Sequence, residues 1–348
     1  MMSANLPHDP KWKRANTLFA SPDQSADIAV VGVPTHKGSI SPTNADQTPD
    51  AIRSALARYS TYSTSQGVDL SGQSLNDLGN IDSPDGPEGV VRVGAFVSDL
   101  LAKHKLIIAL GGDNSITYAV GLGVFGEDLK TAGLITLDAH HDLRDGISNG
   151  SPVRRLIEAG LDPKRIVQIG INDFSNSASY AQLASDLGIT VISREMVAEI
   201  GIKEACNIAL TVAGSAEGPI HVDLDVDVCD RSVVPACPAA APGGLSAFVK
   251  AMNDRAKGLG MASTHYVEPT GLSSRNQSSA KDLAVLVGAT YDVPLLRELS
   301  TSPGREVDVG RRTLQYNTTN RLVKSPNWDI GLQKTGYISE AGQCLVMQ

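Results

Sequence analysis

The chain has 348 residues, a formal net charge of −8 and 41% hydrophobic residues, enough for one large α/β domain or two small ones. The acidic balance, with no basic stripe interleaved with aromatics, excludes a nucleic-acid or anionic-membrane surface. Aromatics are only 4% of the residues, so the core rests on Ala, Val, Leu and Ile.

The amino terminus, MMSANLPHDPKWKR, lacks the apolar run of a secretory leader. No stretch approaches the roughly 18 apolar residues of a membrane span, so a cytoplasmic protein is expected. Residues 1–26 read as an extension. Short apolar runs then recur, each followed by a polar or glycine-rich break and a helical pattern. Strands are expected at 27–33, 105–110, 133–137, 165–169, 189–192 and 219–222. These runs lack strict alternation, the mark of strands buried on both faces of a parallel sheet. Helices are expected at 49–59, 88–104 and 178–187. The first has Thr48 as its cap, Pro49 in the first turn and Asp50 facing the helix dipole. The alternation predicts a single three-layer α/β/α sandwich with a mainly parallel sheet over 27–299.

From Ser300 the texture changes to Ser, Thr, Asn, Gly and Arg with little periodicity. Residues 300–348 read as an extension: a surface-hugging segment, a subunit contact or a mobile tail. Arg305, Arg311, Arg312, Arg321, Trp328 and Tyr337 within it are residue types enriched at protein interfaces. The four cysteines (Cys206, Cys229, Cys237, Cys344) form no CxxC pair, so a reducing compartment is the simpler reading. Cys229 and Cys237 flank an acidic motif, as small hydrophobes or as ligands.

Three segments, each just after an expected strand, carry the chemistry: GGDNSIT at 111–117, DAHHDLR at 138–144 and DLDVDVCD at 223–230. Strand ends at one edge of a parallel sheet converge, and ligands bind there. Asp138, His140 and Asp142 alternate, and Asp223, Asp225 and Asp227 repeat the alternation, which in an extended chain projects each set to one side. Carboxylates so gathered repel unless cations neutralise them. Carboxylate with imidazole suits Mn²⁺ and related first-row ions better than Ca²⁺. A pair of such ions activates water and polarises the carbon it attacks. Taken singly, each motif also reads as a solvated loop.

The order GGD-x-S, DAHxD and DxDxxD followed by PGG resembles the ureohydrolase superfamily of arginase, agmatinase and formimidoylglutamase. The resemblance covers roughly residues 27–270. DAHHDLRDG, NGSPVRRLIEAGL and VQIGINDFSNS bring it closest to a formimidoylglutamase-like branch. It implies an arginase-like fold, two divalent ions (Mn²⁺ first, Ni²⁺ or Co²⁺ as alternatives) and hydrolysis of a C–N bond in a linear amidine or guanidine. Asp230, Pro235 and the PGG at 242–244 set the register of the third motif, so Asp225 and Asp227 match the ligands and Asp223 is an extra acid. The resemblance then implies that Asp138 and Asp225 are shared by both ions, with His140 and Asp227 on one and Asp142 on the other.

Three positions depart from the pattern. Asn114 stands where the family has a histidine ligand, so one ion is expected to be weakly held unless His141 or Asp223 compensates. Asn149 stands where arginases have a histidine; His141, Asn149 and Asp142 are therefore the candidates for catalytic roles. The EVxP segment reads here as Tyr266, Val267, Glu268 and Pro269, which puts Tyr266 at the head-group glutamate and leaves Glu268 two residues away. Arg144 follows DAHHD, where a guanidinium suits an acidic substrate; a surface ion pair with Asp142 or Asp145 is its other reading. The favoured substrate is formimidoylglutamate-like. A guanidine, methylguanidine or biguanide hydrolase is the alternative, as is a catalytically silent subunit of an active paralogue. A homo-oligomer or a hetero-oligomer with such a paralogue is expected.

Overall fold

In the computed structural model, which describes residues 9–20, 26–64, 66–241, 244, 247–267, 275–308, 313–338 and 342–347, the chain divides into two compact units. The first comprises Met1–Val228 and Val234–Ala240, the second Cys229–Val233 and Ala241–Gln348.

The apolar runs of the first unit form its strands. They are β1 (Phe19–Ala20), β2 (Ile28–Val33), β3 (Tyr62–Ser63), β4 (Val68–Asp69), β5 (Leu75–Asn80), β6 (Leu106–Gly111), β7 (Gly133–Leu137), β8 (Ile166–Ile171), β9 (Thr190–Ser193) and β10 (Ile220–Leu224). Between them run α1 (Thr48–Leu56), α2 (Gly86–Leu101), α3 (Ile116–Phe125), α4 (Pro152–Ala159), α5 (Ala178–Leu187), α6 (Arg194–Ile200) and α7 (Ile202–Ala213). The parallel sheet comes in two four-stranded parts, ordered β1-β5-β2-β6 and β10-β7-β8-β9, with β3 and β4 a separate short hairpin. In β7 and β8 nearly every residue is buried, as expected of strands covered on both faces. Edge strands β6 and β10 differ: Leu106 and Ile108 on β6, and Val222 and Leu224 on β10, are exposed.

Helix α3, ITYAVGLGVF, is apolar on all sides and therefore has to be buried all round. Its Ile116, Ala119 and Val120 join Val31, Val33, Val93 and Val97 in one core, while Phe125 joins Leu134, Leu156, Leu161 and Ile166 in a second. Each fully buried Val, Leu, Ile or Phe side chain among these contributes roughly 1.5–3 kcal/mol. Two helix starts differ from expectation. Thr48 is the first helical residue rather than the cap; a 3-10 turn at Ala45–Gln47 runs into α1, and Thr43 accepts from the Ala45 N–H instead. Helix α2 begins at Gly86, where Pro87 needs no hydrogen bond, and ends at Leu101 as Lys103 and His104 both donate back to the Leu100 carbonyl.

The second unit holds α8 (Ala247–Gly258), α9 (Ala280–Tyr291), α10 (Pro294–Thr301) and two antiparallel hairpins, β11 (Gly304–Asp308) with β12 (Thr313–Asn317) and β13 (Gln333–Ile338) with β14 (Gly342–Met347). Ser279 caps α9 by accepting from Asp282 N–H, and Gln333 donates to the Ser300 carbonyl at 2.6 Å, tying β13 to the end of α10. The stretch from Ser300 thus shares a unit with helices before it, and the division falls earlier than Ser300. Trp328 and Tyr337 are exposed, whereas Arg311 and Arg312 lie outside the described residues. Among the described residues no helix is long and apolar enough to cross a membrane.

Candidate metal centre

The glycine that follows β6, Gly112, is required by close packing. A Cβ on Gly112 would fall 1.9 Å from the Thr35 carbonyl oxygen, which accepts from Asp113 N–H at 2.8 Å. Asp113 then spends its carboxylate inside the turn, accepting from Ser39 Oγ at 2.7 Å and Ser115 N–H at 3.1 Å. The turn delivers Asn114 to the next strand end. Its Nδ2 donates to Asp142 Oδ2 at 2.5 Å and lies 3.4 Å from Asp138 Oδ2, while its Oδ1 accepts from Thr117 Oγ1 at 3.0 Å.

Asp138 follows β7 directly, its N–H held by the Ile169 carbonyl. The chain does not stay extended to Asp142. It bends at Ala139 and His140, and Asp142 takes a φ of 53°, a left-handed conformation that a non-glycine residue rarely adopts. The i, i+2, i+4 rule therefore fails at its last member, and local backbone strain rather than strand periodicity brings that carboxylate in. After β10, Asp225 is anchored by donation to the Leu137 carbonyl and begins a one-turn 3-10 helix at Val226–Val228. Asp227 N–H donates to Asp225 Oδ1 at 2.9 Å, and Asp227 Oδ1 accepts from Ala139 N–H at 3.0 Å. His140 Nδ1 lies 2.9 Å from Asp227 Oδ2 and 3.5 Å from Asp138 Oδ1.

Asp138, His140, Asp142, Asp225 and Asp227 thus meet at the strand ends, bordered by Asn114. Candidate ligand atoms of Asp138, His140 and Asp227 all lie within 4.8 Å of one another. Burial raises Asp138 to about 6 against the pull of His140. Burial, reinforced by neighbouring carboxylates, holds Asp142 and Asp225 well above the usual range. Burial and the Asp138 charge raise Asp223 to about 7. Asp227 is the exception: burial pushes it up, but the hydrogen bond and charge of His140 outweigh this and leave it lowered. Hydrogen bonds to Asp138 and Asp227 raise His140 to about 10. Five carboxylates against one imidazolium leave a deficit of positive charge, and among the described residues the buried Asp223 Oδ2 has no hydrogen-bond donor. An oxygen- and nitrogen-donor set of this kind fits hard to borderline divalent cations.

The arginase family model matches residues 26–286. The chain belongs to the arginase family. It is 37% identical to the formimidoylglutamase of Halalkalibacterium halodurans over 227 residues, 63% of this chain and 71% of that one. The crystal structure of Trypanosoma cruzi formiminoglutamase with Mn²⁺ superposes with a TM-score of 0.62 at 25% identity, over 79% of this chain and 96% of that one. A second likeness covers the other end. A D-alanyl-D-alanine carboxypeptidase model matches residues 231–348, and the chain is 50% identical over 109 residues to the D-alanyl-D-alanine endopeptidase of Pseudomonas aeruginosa, 31% of this chain and 35% of that one. The two family models overlap at residues 231–286. Lys334, Thr335 and Gly336 on β13 spell the K-T-G of penicillin-binding proteins, a signal that the polar composition of this stretch obscured.

Other residues singled out against the arginase-family pattern fall as follows. His141 is buried, with Nδ1 2.7 Å from Gln168 Oε1 and its carbonyl accepting from Gln168 Nε2 at 2.8 Å, a latch that fixes the ring's Nδ1 edge. Asn149 accepts from Ile40 N–H at 3.1 Å and donates its own N–H to Gly38, fixing the loop before α1. Arg144 is exposed, and among the described residues no ion pair engages it. Tyr266 exchanges backbone hydrogen bonds with the Asn253 side chain at 2.7 and 2.8 Å in the second unit. Glu268 and Pro269 lie outside the described residues. Both Tyr266 and Glu268 fall where the two family models overlap, so their assignment as head-group residues rests on register alone.

Supporting residues were missed. Asn176 donates to the Ala139 carbonyl at 2.9 Å and accepts from His141 N–H at 3.0 Å, clamping the DAHHD loop from NDFSNS. Arg194 at the start of α6 donates to the Asp227 carbonyl at 2.7 Å and the Gly170 carbonyl at 3.2 Å. Neither role has a local sequence signature.

His221 on β10 stacks edge-on against Phe125 at 6.3 Å, and among the described residues its buried Nε2 has no partner. Burial lowers it to about 4. The unfolded chain protonates this ring near 6.5 while the folded one keeps it neutral, so the stability it allows at pH 7 is lost as pH falls from about 6.5 to 4. His221→Leu should flatten that part of the acid limb by up to roughly 3 kcal/mol, read by urea unfolding at pH 7, 5.5 and 4.5. An unchanged difference between the two proteins across this range would show that the ring is not held neutral.

Proposed function

We propose that the first unit is a metal-dependent hydrolase for the C–N bond of a linear amidine, with an N-formimidoyl amino acid such as formimidoylglutamate as its substrate. The carrying observation is the buried meeting of Asp138, His140, Asp142, Asp225 and Asp227 at one edge of a parallel sheet. Mn²⁺ is the proposed ion, after the T. cruzi relative, with Ni²⁺ and Co²⁺ as alternatives. Bound there, a pair of divalent ions supplies Lewis-acid polarisation of the amidine carbon and a nucleophile at neutral pH. Asp138, Asp142, Asp225 and Asp227 supply the charge that holds them, and His140 gives up its bonds to Asp138 and Asp227 to donate its nitrogen. Asn176 and Arg194 keep the two acidic loops in place. Asn149, by holding the Gly38–Ile40 backbone, shapes the rim.

Arg144, exposed and in no ion pair among the described residues, is proposed to receive the substrate's carboxylate. Arg144→Ala should raise KM for an acidic amidine about tenfold or more and leave kcat nearly unchanged, as loss of uniform binding does. The test is ammonia release from formimidoylglutamate against neutral and cationic amidines. A preference for the cationic compounds, unaffected by Arg144→Ala, would refute the acidic-substrate reading.

A second reading has its own observation. Asn114 presents its amide N–H to Asp138 and Asp142 where a ligand atom is called for, and the stretch read as EVxP lies in the overlap with the peptidase-like segment. On this reading the chain is a silent subunit of a hetero-oligomer with an active paralogue, and co-expression with one restores hydrolysis that the chain alone lacks.

A further inference from the structure

The heptapeptide Val234–Ala240 packs with the first unit although its flanks on both sides belong to the second. Its centre is Cys237. The residue is pinned in a turn, with its N–H donating to the Val234 carbonyl at 3.0 Å and its carbonyl accepting from Ala240 at 3.3 Å. The Cys237 thiol and one carboxylate oxygen each from Asp225 and Asp227 all lie within 4.8 Å of one another. Ions of the zinc type bind sulfur at about 2.3 Å and carboxylate oxygen at about 2.0–2.2 Å in tetrahedral geometry, so one ion between these atoms needs a closure of up to about one ångström, within the reach of side-chain rotation. A second feature lies on the strand that leads into these ligands: among the described residues no donor reaches the buried Asp223 Oδ2.

We propose that Cys237 is a ligand of this centre, joining Asp225 and Asp227 around one ion and making that position a mixed thiolate–carboxylate site. The inference rests on the reading of the acidic cluster as a metal centre. Its consequence is a difference between the two ion positions. The part of the cluster formed by Asp138 and Asp142 offers only hard oxygen donors, beside Asn114. The part formed by Asp225, Asp227 and Cys237 includes a soft sulfur, which favours Zn²⁺ or Co²⁺ over Mn²⁺. On binding, the thiol S–H bond breaks, the sulfur–metal bond forms and the proton passes to solvent, so uptake at this position releases one proton that a carboxylate-only site would not.

The experiment uses the full chain, stripped with chelator and titrated with Co²⁺. A sulfur-to-cobalt charge-transfer band in the near ultraviolet should grow with the first equivalents. Cys237→Ser should abolish the band while Co²⁺ still binds, and should weaken Zn²⁺ at least about tenfold with a much smaller effect on Mn²⁺. In parallel, alkylation followed by peptide mass mapping should show Cys237 protected by Zn²⁺, with exposed Cys344 reacting equally in both states as an internal reference. Circular dichroism checks that Cys237→Ser is folded; should it not be, the band and the protection in the wild-type chain decide the matter. Co²⁺ binding without the band, or alkylation of Cys237 at the same rate with and without Zn²⁺, would overturn the inference alone. No binding of Co²⁺, Zn²⁺ or Mn²⁺ at all would overturn the metal-centre reading and the inference with it.

Discussion

Asp225→Asn should remove metal and activity together. Asp225 touches the Asp227 backbone, its charge acts on Asp138, Asp223 and Asp227, and its own N–H anchors the turn after β10 to the end of β7. The substitution keeps the shape and the anchor while deleting one charge. A carboxylate ligand contributes several kcal/mol to a centre of this kind, so kcat/KM should fall by about a thousandfold or more. The folded protein should survive, because in the metal-free state the lost charge is one that its neighbours repel. Far-ultraviolet circular dichroism and ammonia release on the same preparation separate the two outcomes. A variant that stays folded and keeps a tenth of the activity would place the chemistry elsewhere.

The second large effect concerns stability and its dependence on pH. Without ions, Asp138 and Asp223 ionise at about 6 and 7 when folded but near 3.8 when unfolded. Groups whose folded pKa is raised penalise the folded state above that pKa, and the penalty lifts as pH falls. The chelated protein should therefore gain stability from this cluster between about pH 7 and 4, against the opposing loss at His221. With ions bound the sign reverses, since protons compete with metal for the same oxygens. At pH 7.5, Mn²⁺ at a hundred times its Kd adds about 2.7 kcal/mol, a rise in Tm of roughly 5–10 °C for a unit of this size. Scanning calorimetry with and without chelator at pH 5.5 and 7.5 reads both effects. Identical Tm values in all conditions would mean that the acids are not holding ions.

What could be read from the sequence was chemistry placed at strand ends. The apolar runs before GGDNS, DAHHD and DLDVDVCD are strands β6, β7 and β10, the second with the expected bounds and the other two shifted by a residue or two. The acids follow them because a parallel sheet collects its strand ends on one edge. Contacts made by residues far apart in sequence were not legible. His141 is legible as a candidate for chemistry, but its Nδ1 contact to Gln168, on a neighbouring strand, is not. Asp142 reaches the cluster through a left-handed backbone that no periodicity announces. Cys237 gains meaning only from a turn that returns to Asp225 and Asp227. The last fifty residues misled for a different reason. The segments GREVD, TLQYN, QKTGYI and GQCLVM are too short and too polar to stand out from a loop-like composition, yet they pair as hairpins.

The most direct test of the metal centre is a calorimetric Mn²⁺ titration of the chelator-stripped full chain, beside the double variant Asp138→Asn, Asp225→Asn. The expected result is saturable binding of at least one ion per chain by the wild type, and none by the variant over the same concentration range. Equal binding by both proteins, or none by either, would contradict the assignment of these strand-end acids as the metal centre.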